Sequence, residues 1–187
     1  MDQPLAGKSI AILAANGFEE VEMTEVQRAL LALGAVPKII SPEKTLVNGW
    51  HGKAWGHYFP VDAAIAEALA VDYNMLLLPG GARSIAKLAQ NPHTRRIVGS
   101  FLDGGKPIAS IGDGIRLIAL TGKSNHRGVT GEPTLRDEMI EMGVNWQDEP
   151  IVVDRFVVSC QGPDHLAAFI EQVTKTFVEF AELKKAA

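Results

Sequence analysis

A layered α/β fold, with a mainly parallel sheet covered by helices on both faces, is what this sequence predicts. Residues 8–15, 74–78 and 107–111 are short, almost wholly apolar runs, the pattern of strands buried on both sides. Between such runs lie stretches with apolar residues at helical spacing, so strand and helix alternate along the chain. The length of 187 residues, with 47% hydrophobic and 21% charged, suits one domain, 1–187, with its own core.

The run 8–15 is the first strand, broken by Asn16-Gly17-Phe18. From Glu19 onward Val21, Val26, Ala29, Leu30 and Leu33 recur near helical spacing until Gly34 supplies a cap. Glu19, Glu20 and Glu22 fall in the first turn of that helix, where carboxylates complement the dipole. Residues 36–41 read as a second strand, with Pro37 at its tolerant start. Residues 45–59 carry repeated glycines, Trp50, Trp55, Tyr58, Phe59, His51 and His57, and predict a small hairpin or irregular excursion. Asp62 is expected to cap a short helix through Leu69.

The strand 74–78 runs into the turn Pro79-Gly80-Gly81. Helices 82–89 and 92–102 are separated at Asn91-Pro92, and Gly104-Gly105 stops the second. A strand at 107–111, a helix at 115–120 and a short strand at 127–130 follow, then an amphipathic helix at 134–142 stopped by Gly143. Strands are expected at 145–146, 151–154 and 156–160, the last two joined by a tight Asp154-Arg155 turn. After Gly162-Pro163 a long helix lines Leu166, Phe169, Ile170, Val173 and Phe177 on one face and ends near Lys184-Lys185.

Charge and composition narrow the function. A formal net charge of −4 offers nucleic acid or an anionic membrane no attraction, so neither is an expected partner. No apolar run reaches the length of a bilayer span, and Met1-Asp2-Gln3-Pro4 does not open a signal peptide. A single cysteine, Cys160, forbids an intramolecular disulfide, and a cytoplasmic location is the expectation. His51, His57 and His126 lack the tight helical spacing of a metal signature, and neither metal nor cofactor is expected.

Ile111-Gly112-Asp113-Gly114 is the stretch that suggests chemistry. A parallel strand turning abruptly into a helix is where α/β hydrolytic enzymes mount a nucleophile, because the turn lifts one side chain clear of the sheet. The apex here is glycine, which has no side chain to attack with.

Several ordered motifs together resemble one family. They are Ala15-Asn16-Gly17-Phe18-Glu19-Glu20-Val21-Glu22; Trp50 through Asp62; Leu78-Pro79-Gly80-Gly81; Lys106-Pro107-Ile108-Ala109; Val129-Thr130 with Pro133-Thr134-Leu135-Arg136-Asp137; and, in the tail, Asn145 through Asp154 and Ser159 to Leu166. The chain resembles the ThiJ/PfpI superfamily over nearly its whole length. That resemblance implies a flavodoxin-like three-layer sandwich related to class I glutamine amidotransferase domains. In the family the turn after the Lys-Pro strand reads roughly A-I-C-H-G. Its cysteine is strained, a glutamate holds it, and backbone N–H groups stabilise an oxyanion.

Matched position by position, Gly112 stands at the cysteine, Asp113 at the histidine, Gly114 at the final glycine and Glu22 at the glutamate. Gly80 and Gly81 stand at the oxyanion turn, either as an anion-binding backbone pocket or simply as a turn. With Gly114, Gly162 and Pro163 they form the expected ligand-binding set. Glycine enters a φ > 0 turn freely, so Gly112 fits a turn that has kept its shape and lost its thiol.

Asp113 is read first as the N-cap of helix 115–120, and in the alternative as a pocket carboxylate facing Glu22. Cys160 is read as a partly buried, inert thiol. The expectation is a non-catalytic family member that binds a small molecule, in a stress context the resemblance suggests. The resemblance also implies a homodimer or higher homo-oligomer, with the Trp50–His57 aromatics as candidate contacts. The alternative is a hydrolase or lyase of protease, amidase, glyoxalase or hydratase type, using Glu22 and Asp113 as an acid/base pair.

Overall fold

Side chains that point alternately to the two faces of each buried central strand show how the sequence builds two cores from one sheet. In the computed structural model, which describes residues 2–187, the chain runs as follows. Strand β1 (Ser9–Leu13) leads through the two-residue β2 (Phe18–Glu19) into α1 (Glu20–Ala32), and β3 (Val36–Ser41) follows. Strands β4 (Leu46–His51) and β5 (Ala54–Pro60) form a hairpin, and β6 (Ala63–Ala64) returns to the main sheet. Then come β7 (Met75–Leu78), α2 (Ala82–Gln90), α3 (Pro92–Asp103), β8 (Ile108–Ile111) and α4 (Ile115–Ala119). The chain closes with β9 (Gly128–Val129), α5 (Arg136–Glu141), β10 (Asn145–Trp146), β11 (Ile151–Asp154), β12 (Val157–Cys160) and α6 (Leu166–Ala186).

The main sheet has seven strands in the order β11-β12-β8-β7-β1-β3-β6, all parallel except the β11–β12 hairpin. Ile10 and Ile12 of β1 pack against α1 and α6, among Met23, Val26, Leu30, Phe169, Val173 and Phe177. Ala11 and Leu13 face the opposite side, with Ile85, Leu88, Ile97, Val98 and Ile118 from α2, α3 and α4. Side chains that alternate along a strand thus fill two separate layers, giving the three-layer flavodoxin-like sandwich.

Three local expectations change. Residues 62–69 form no helix: the Asp62 carboxylate accepts the Ile39 N–H at 2.8 Å, which ties the chain to the edge of β3 before β6 pairs there. A carboxylate that meets a neighbouring strand's N–H cannot cap a helix of its own. The helix expected at 134–142 is a 3₁₀ turn, Pro133–Leu135, followed by the shorter α5. Between β11 and β12 the two turn residues are Arg155 and Phe156, with φ of 47° and 67°, so Phe156 lies in the turn rather than the strand. Its ring packs edge-on against Phe180 with centroids 5.2 Å apart, an aromatic contact that offsets the cost of the left-handed backbone.

Residues 45–59 settle into an ordered hairpin rather than an irregular excursion. Strand β4 pairs in parallel with β2, Phe18 opposite Gly49 and Glu19 opposite Trp50, so the hairpin is a separate small sheet docked over the start of α1. No helix is long and apolar enough to cross a membrane among the described residues.

Candidate functional site

At the C-terminal end of β8 the chain makes a sharp 3₁₀ turn, Gly112–Gly114, before α4. Gly112 has φ +59°, in the left-handed region that L side chains rarely adopt. A Cβ built on it would have one neighbour within 4 Å, the Glu22 Oε1 at 3.9 Å, so the apex has room for a Cβ. Gly114 differs: a Cβ there would lie 2.7 Å from the Leu78 carbonyl oxygen, and glycine is required by the close crossing of β7. Below it the Ser110 hydroxyl is buried without a hydrogen-bond partner.

Glu22 reaches the turn from α1 and is 3% exposed. Its Oε2 accepts the Gly80 N–H at 2.8 Å. Burial pushes its carboxyl up to about 8 against that hydrogen bond, and the charges of Glu19, Asp113 and Glu132 push the same way. The solvated first-turn role therefore does not describe Glu22, nor Glu20, which is also buried.

Gly80 is held from both sides, since its carbonyl accepts the Glu19 N–H at 3.0 Å. Gly81, with φ +109°, packs directly on β2: a Cβ there would meet the Gly17 carbonyl oxygen at 2.4 Å. The strand β2 thereby fixes the orientation of the Gly80-Gly81 peptides.

Asp113 does not cap α4. No side chain caps the 3₁₀ turn or the helix after it, and the Asp113 carboxyl lies instead against the Gly81 N–H. A carboxyl engaged with the Gly81 N–H is not available to the first N–H groups of α4, which is the physical reason the capping expectation fails. Burial raises this carboxyl and Glu132 raises it further, while the Gly81 N–H and Arg116 oppose. Glu19 is raised as well, by burial first and then by Asp113.

Gly162 and Pro163 are separate from the elbow but border it. With Glu132, Pro133, Gln161, Asp164 and His165 they line a cleft of about 290 Å³. The Glu132 N–H donates to the Gly112 carbonyl at 3.0 Å, so one residue serves both the cleft wall and the turn. A larger cleft of about 420 Å³, between α3 and Thr121–Lys123, shares no lining residue with the elbow.

Cys160 is fully buried rather than partly so, at the end of β12. Its thiol donates to the Gly162 carbonyl at 3.4 Å, and burial pushes it up to about 11. A thiol that stays protonated is a poor nucleophile.

Glu20 is the functional-site neighbour that the sequence did not single out. Its carboxylate accepts the His57 backbone N–H at 2.8 Å and meets His57 Nδ1 at 2.5 Å, with His51 Nδ1 3.9 Å away. Burial would raise Glu20, but those His57 bonds, with His51 beside them, hold it below its ordinary value. Gly49 and Gly56 make room, since a Cβ on either would fall within 2.8 Å of the Glu20 Oε2. The signal was present as glycines alternating with histidines in the hairpin, but nothing linked them to a residue about thirty positions earlier. His126 is elsewhere, its carbonyl accepting the Asn145 amide. Arg83 of α2 stacks over Trp50 at 4.4 Å and holds the other edge of the hairpin.

His57→Ala is expected to loosen the hairpin without unfolding the sheet, because it strips a buried carboxylate of a partner. The cost is about 1–2 kcal/mol, read as roughly tenfold faster amide exchange in β4 and β5. Unchanged exchange would show that Glu20 does not hold the hairpin.

Among the described residues, no three histidine, cysteine, aspartate or glutamate side chains are placed to hold a metal ion. What the elbow assembles is a neutral buried acid, three further carboxyls (Glu19, Asp113 and Glu132) and a set of oriented backbone N–H groups. Such a set can hydrogen-bond or exchange protons with a small ligand, and the one thiol among the described residues, Cys160, is buried.

Comparison with known proteins follows the same outline. A family model described as the DJ-1/PfpI family matches residues 8–176. The chain is 32% identical over 166 residues to a protein named deglycase PfpI from Pyrococcus furiosus, covering 89% of this chain and 97% of that one. It is 30% identical over 163 residues to a putative cysteine protease, YraA, of Bacillus subtilis, covering 87% and 94%. Schizosaccharomyces pombe DJ-1 superposes with a TM-score of 0.76 at 21% identity, over 94% of this chain and 97% of that one, a likeness that shows the fold.

Proposed function

The chain belongs to the DJ-1/PfpI family, and from that premise we propose that it is a non-catalytic member that binds a small molecule at the elbow without forming a thiol adduct. The observation that carries this reading is the gap over Gly112, with φ +59° and only Glu22 in reach, where the family resemblance places the cysteine. Cys160 does not replace that thiol, being buried and held protonated.

What remains is suited to binding. Glu22, neutral near pH 7, offers a hydrogen-bond donor and acceptor in a dry setting, and the 290 Å³ cleft beside Glu132 gives a ligand somewhere to extend. The exposed Trp55 and Tyr58 of β5, at 51% and 65%, support the homo-oligomer that the resemblance implies. The resemblance likewise supports a stress-related, cytoplasmic role.

A second reading has its own observation. Asp113 is free of any capping role and sits within electrostatic reach of Glu22, so the two carboxyls can act as an acid/base pair on a carbonyl or amide substrate.

The experiment sets wild type, Gly112→Cys and Glu22→Ala against aldehydes, amides and peptides, and counts thiols labelled by iodoacetamide in the folded state. Wild type should turn over nothing and label negligibly at Cys160, whereas Gly112→Cys should label rapidly. Turnover by wild type that disappears in Glu22→Ala would sink the binding role and establish the acid/base one.

A further inference from the structure

Away from the elbow, the outer face of α3 gathers positive charge on a chain that is acidic overall. Arg95, Arg96, Gly99 and Ser100 share one stripe of that helix, three and four residues apart. Thr121 and Lys123, in the segment after α4, close over the stripe to complete the cleft of about 420 Å³. No acidic side chain lines it. Gly99 shapes its floor: the Lys123 stem lies against the bare helix backbone, where a Cβ would touch its Cδ at 3.5 Å.

These cations are only partly engaged. Lys123 Nζ pairs with Asp103 at the end of α3, and Arg96 Nη2 donates to the Ile65 carbonyl at 3.3 Å. Arg95 is exposed and has no ion pair among the described residues. The Ser100 and Thr121 hydroxyls already donate, to the Arg96 carbonyl at 2.8 Å and the Ile118 carbonyl at 2.7 Å. Three cations thus stand against one carboxylate, and two positive charges have no counter-charge.

A second cleft continues the first. It holds about 430 Å³, shares Arg96 and Ser100, and is otherwise formed by Leu69, Ala70, Val71 and Lys106. Leu69 and Val71 are 51% and 78% exposed, apolar side chains that the fold leaves uncovered. Lys106 does not make this end cationic. Its Nζ donates to the Ala70 and Tyr73 carbonyls, both at 2.8 Å, and Asp72 stands within electrostatic reach. The paired cleft is therefore cationic at one end and apolar at the other, with Arg96 between them.

We propose that this paired cleft is a second ligand site, and that it takes a small soluble phosphate monoester bearing an apolar chain. The phosphate lies among Arg95, Arg96 and Lys123, and the chain lies over Leu69 and Val71. A phosphate monoester brings about two negative charges at neutral pH, matching the unopposed pair, where a carboxylate brings one. Guanidinium groups suit its oxygens, since they present paired N–H donors in a fixed plane. The soluble ester is favoured over the same head group in a bilayer, because the chain as a whole carries −4 and an anionic membrane repels it. The elbow, with Glu19, Glu22, Asp113 and Glu132, does not compete for such an anion.

The test titrates n-hexyl phosphate into the whole chain and follows backbone amide shifts by NMR. Hexanol and inorganic phosphate serve as the two halves of the ligand, and hexanoate as the singly charged head. Hexyl phosphate should move the amides of residues 69–71, 95–100 and 121–123 and leave those of 111–114 in place. Each other probe should bind at least about fivefold more weakly. Arg95→Gln and Lys123→Gln should each weaken hexyl phosphate roughly three- to tenfold, and added salt should weaken it further. Val71→Ser should weaken hexyl phosphate and leave inorganic phosphate unchanged. All three side chains are exposed, and an otherwise wild-type spectrum shows that each variant is folded.

Absence of binding, shifts confined to the elbow, or an affinity that Arg95→Gln and Lys123→Gln leave unchanged overturns the proposal. Inorganic phosphate that binds as tightly as hexyl phosphate overturns the assignment of the apolar cleft to the chain. Sedimentation with vesicles of equal parts phosphatidylcholine and phosphatidic acid, without binding of the soluble ester, overturns it in favour of a membrane surface.

Discussion

Glu22→Gln is expected to stabilise the protein at pH 9 by about 4–5 kcal/mol relative to wild type, and to leave it nearly unchanged at pH 4. In the unfolded chain Glu22 ionises near its ordinary 4.5, and in the folded protein near 8. Between those values the unfolded state has released a proton that the folded state still holds. Wild type therefore loses stability as pH rises through that window and levels off above it. The glutamine carries no such proton, keeps an oxygen for the Gly80 N–H, and follows a flatter profile. Glu19 and Asp113 are raised too, so both proteins retain some decline toward alkaline pH. Glu20 and Asp154 are held low and work in the opposite direction at acid pH, equally in both. Urea unfolding of the pair at pH 4, 7 and 9 measures the difference. A gap that stays constant with pH would mean that Glu22 is ionised in the folded protein at neutrality.

The second large effect contrasts two glycines that share a left-handed backbone. Gly81→Ala should cost about 4 kcal/mol or more, since its Cβ would lie 2.4 Å from the Gly17 carbonyl oxygen and 2.9 Å from the Glu19 nitrogen and Phe18 Cα. These are backbone atoms of the strand that clamps Gly80, and they cannot swing away as a side chain would. Gly112→Ala should cost only about 1–2 kcal/mol, the backbone penalty alone, because nothing but Glu22 comes within 4 Å. Paired denaturation curves give both values. Equal costs would mean that the gap over Gly112 closes in solution, and the proposed ligand seat would close with it.

Much of this molecule could be read before its structure was known, and the exceptions have a common cause. Strands 74–78 and 107–111 were legible because a parallel strand buried on both faces is apolar throughout. The long final helix was legible from Phe169, Val173 and Phe177 on one face. At the site, Glu22, Gly112, Gly80 and Gly81 were identified by resemblance, and the fold does bring Glu22 to Gly80 and Gly112.

What escaped were carboxylates whose partners are distant in sequence. Asp62 has all the marks of a helix cap, yet its hydrogen bond goes to Ile39 on the next strand. Asp113 stands at the start of a helix and turns instead toward Gly81. Glu20 looked like one more dipole-complementing acid until the hairpin placed His57 against it. Local propensity describes what an acid can do alone, and each of these acids was claimed by a tertiary partner.

The layer formed by α1 and α6 has a consequence for how the chain is made. Helix α6 supplies Phe169, Val173, Phe177 and Phe180 to the core that also contains Phe18, Met23, Val26 and Leu30 near the beginning. A ribosome delivers α1 long before α6, so the first helix waits uncovered while the other face of the sheet can already close. The wall of the cleft, residues 161–165, is also the lead into α6. The nascent chain thus carries a half-finished, sticky layer until α6 emerges, and the cleft beside Glu132 and the protection from aggregation arrive together.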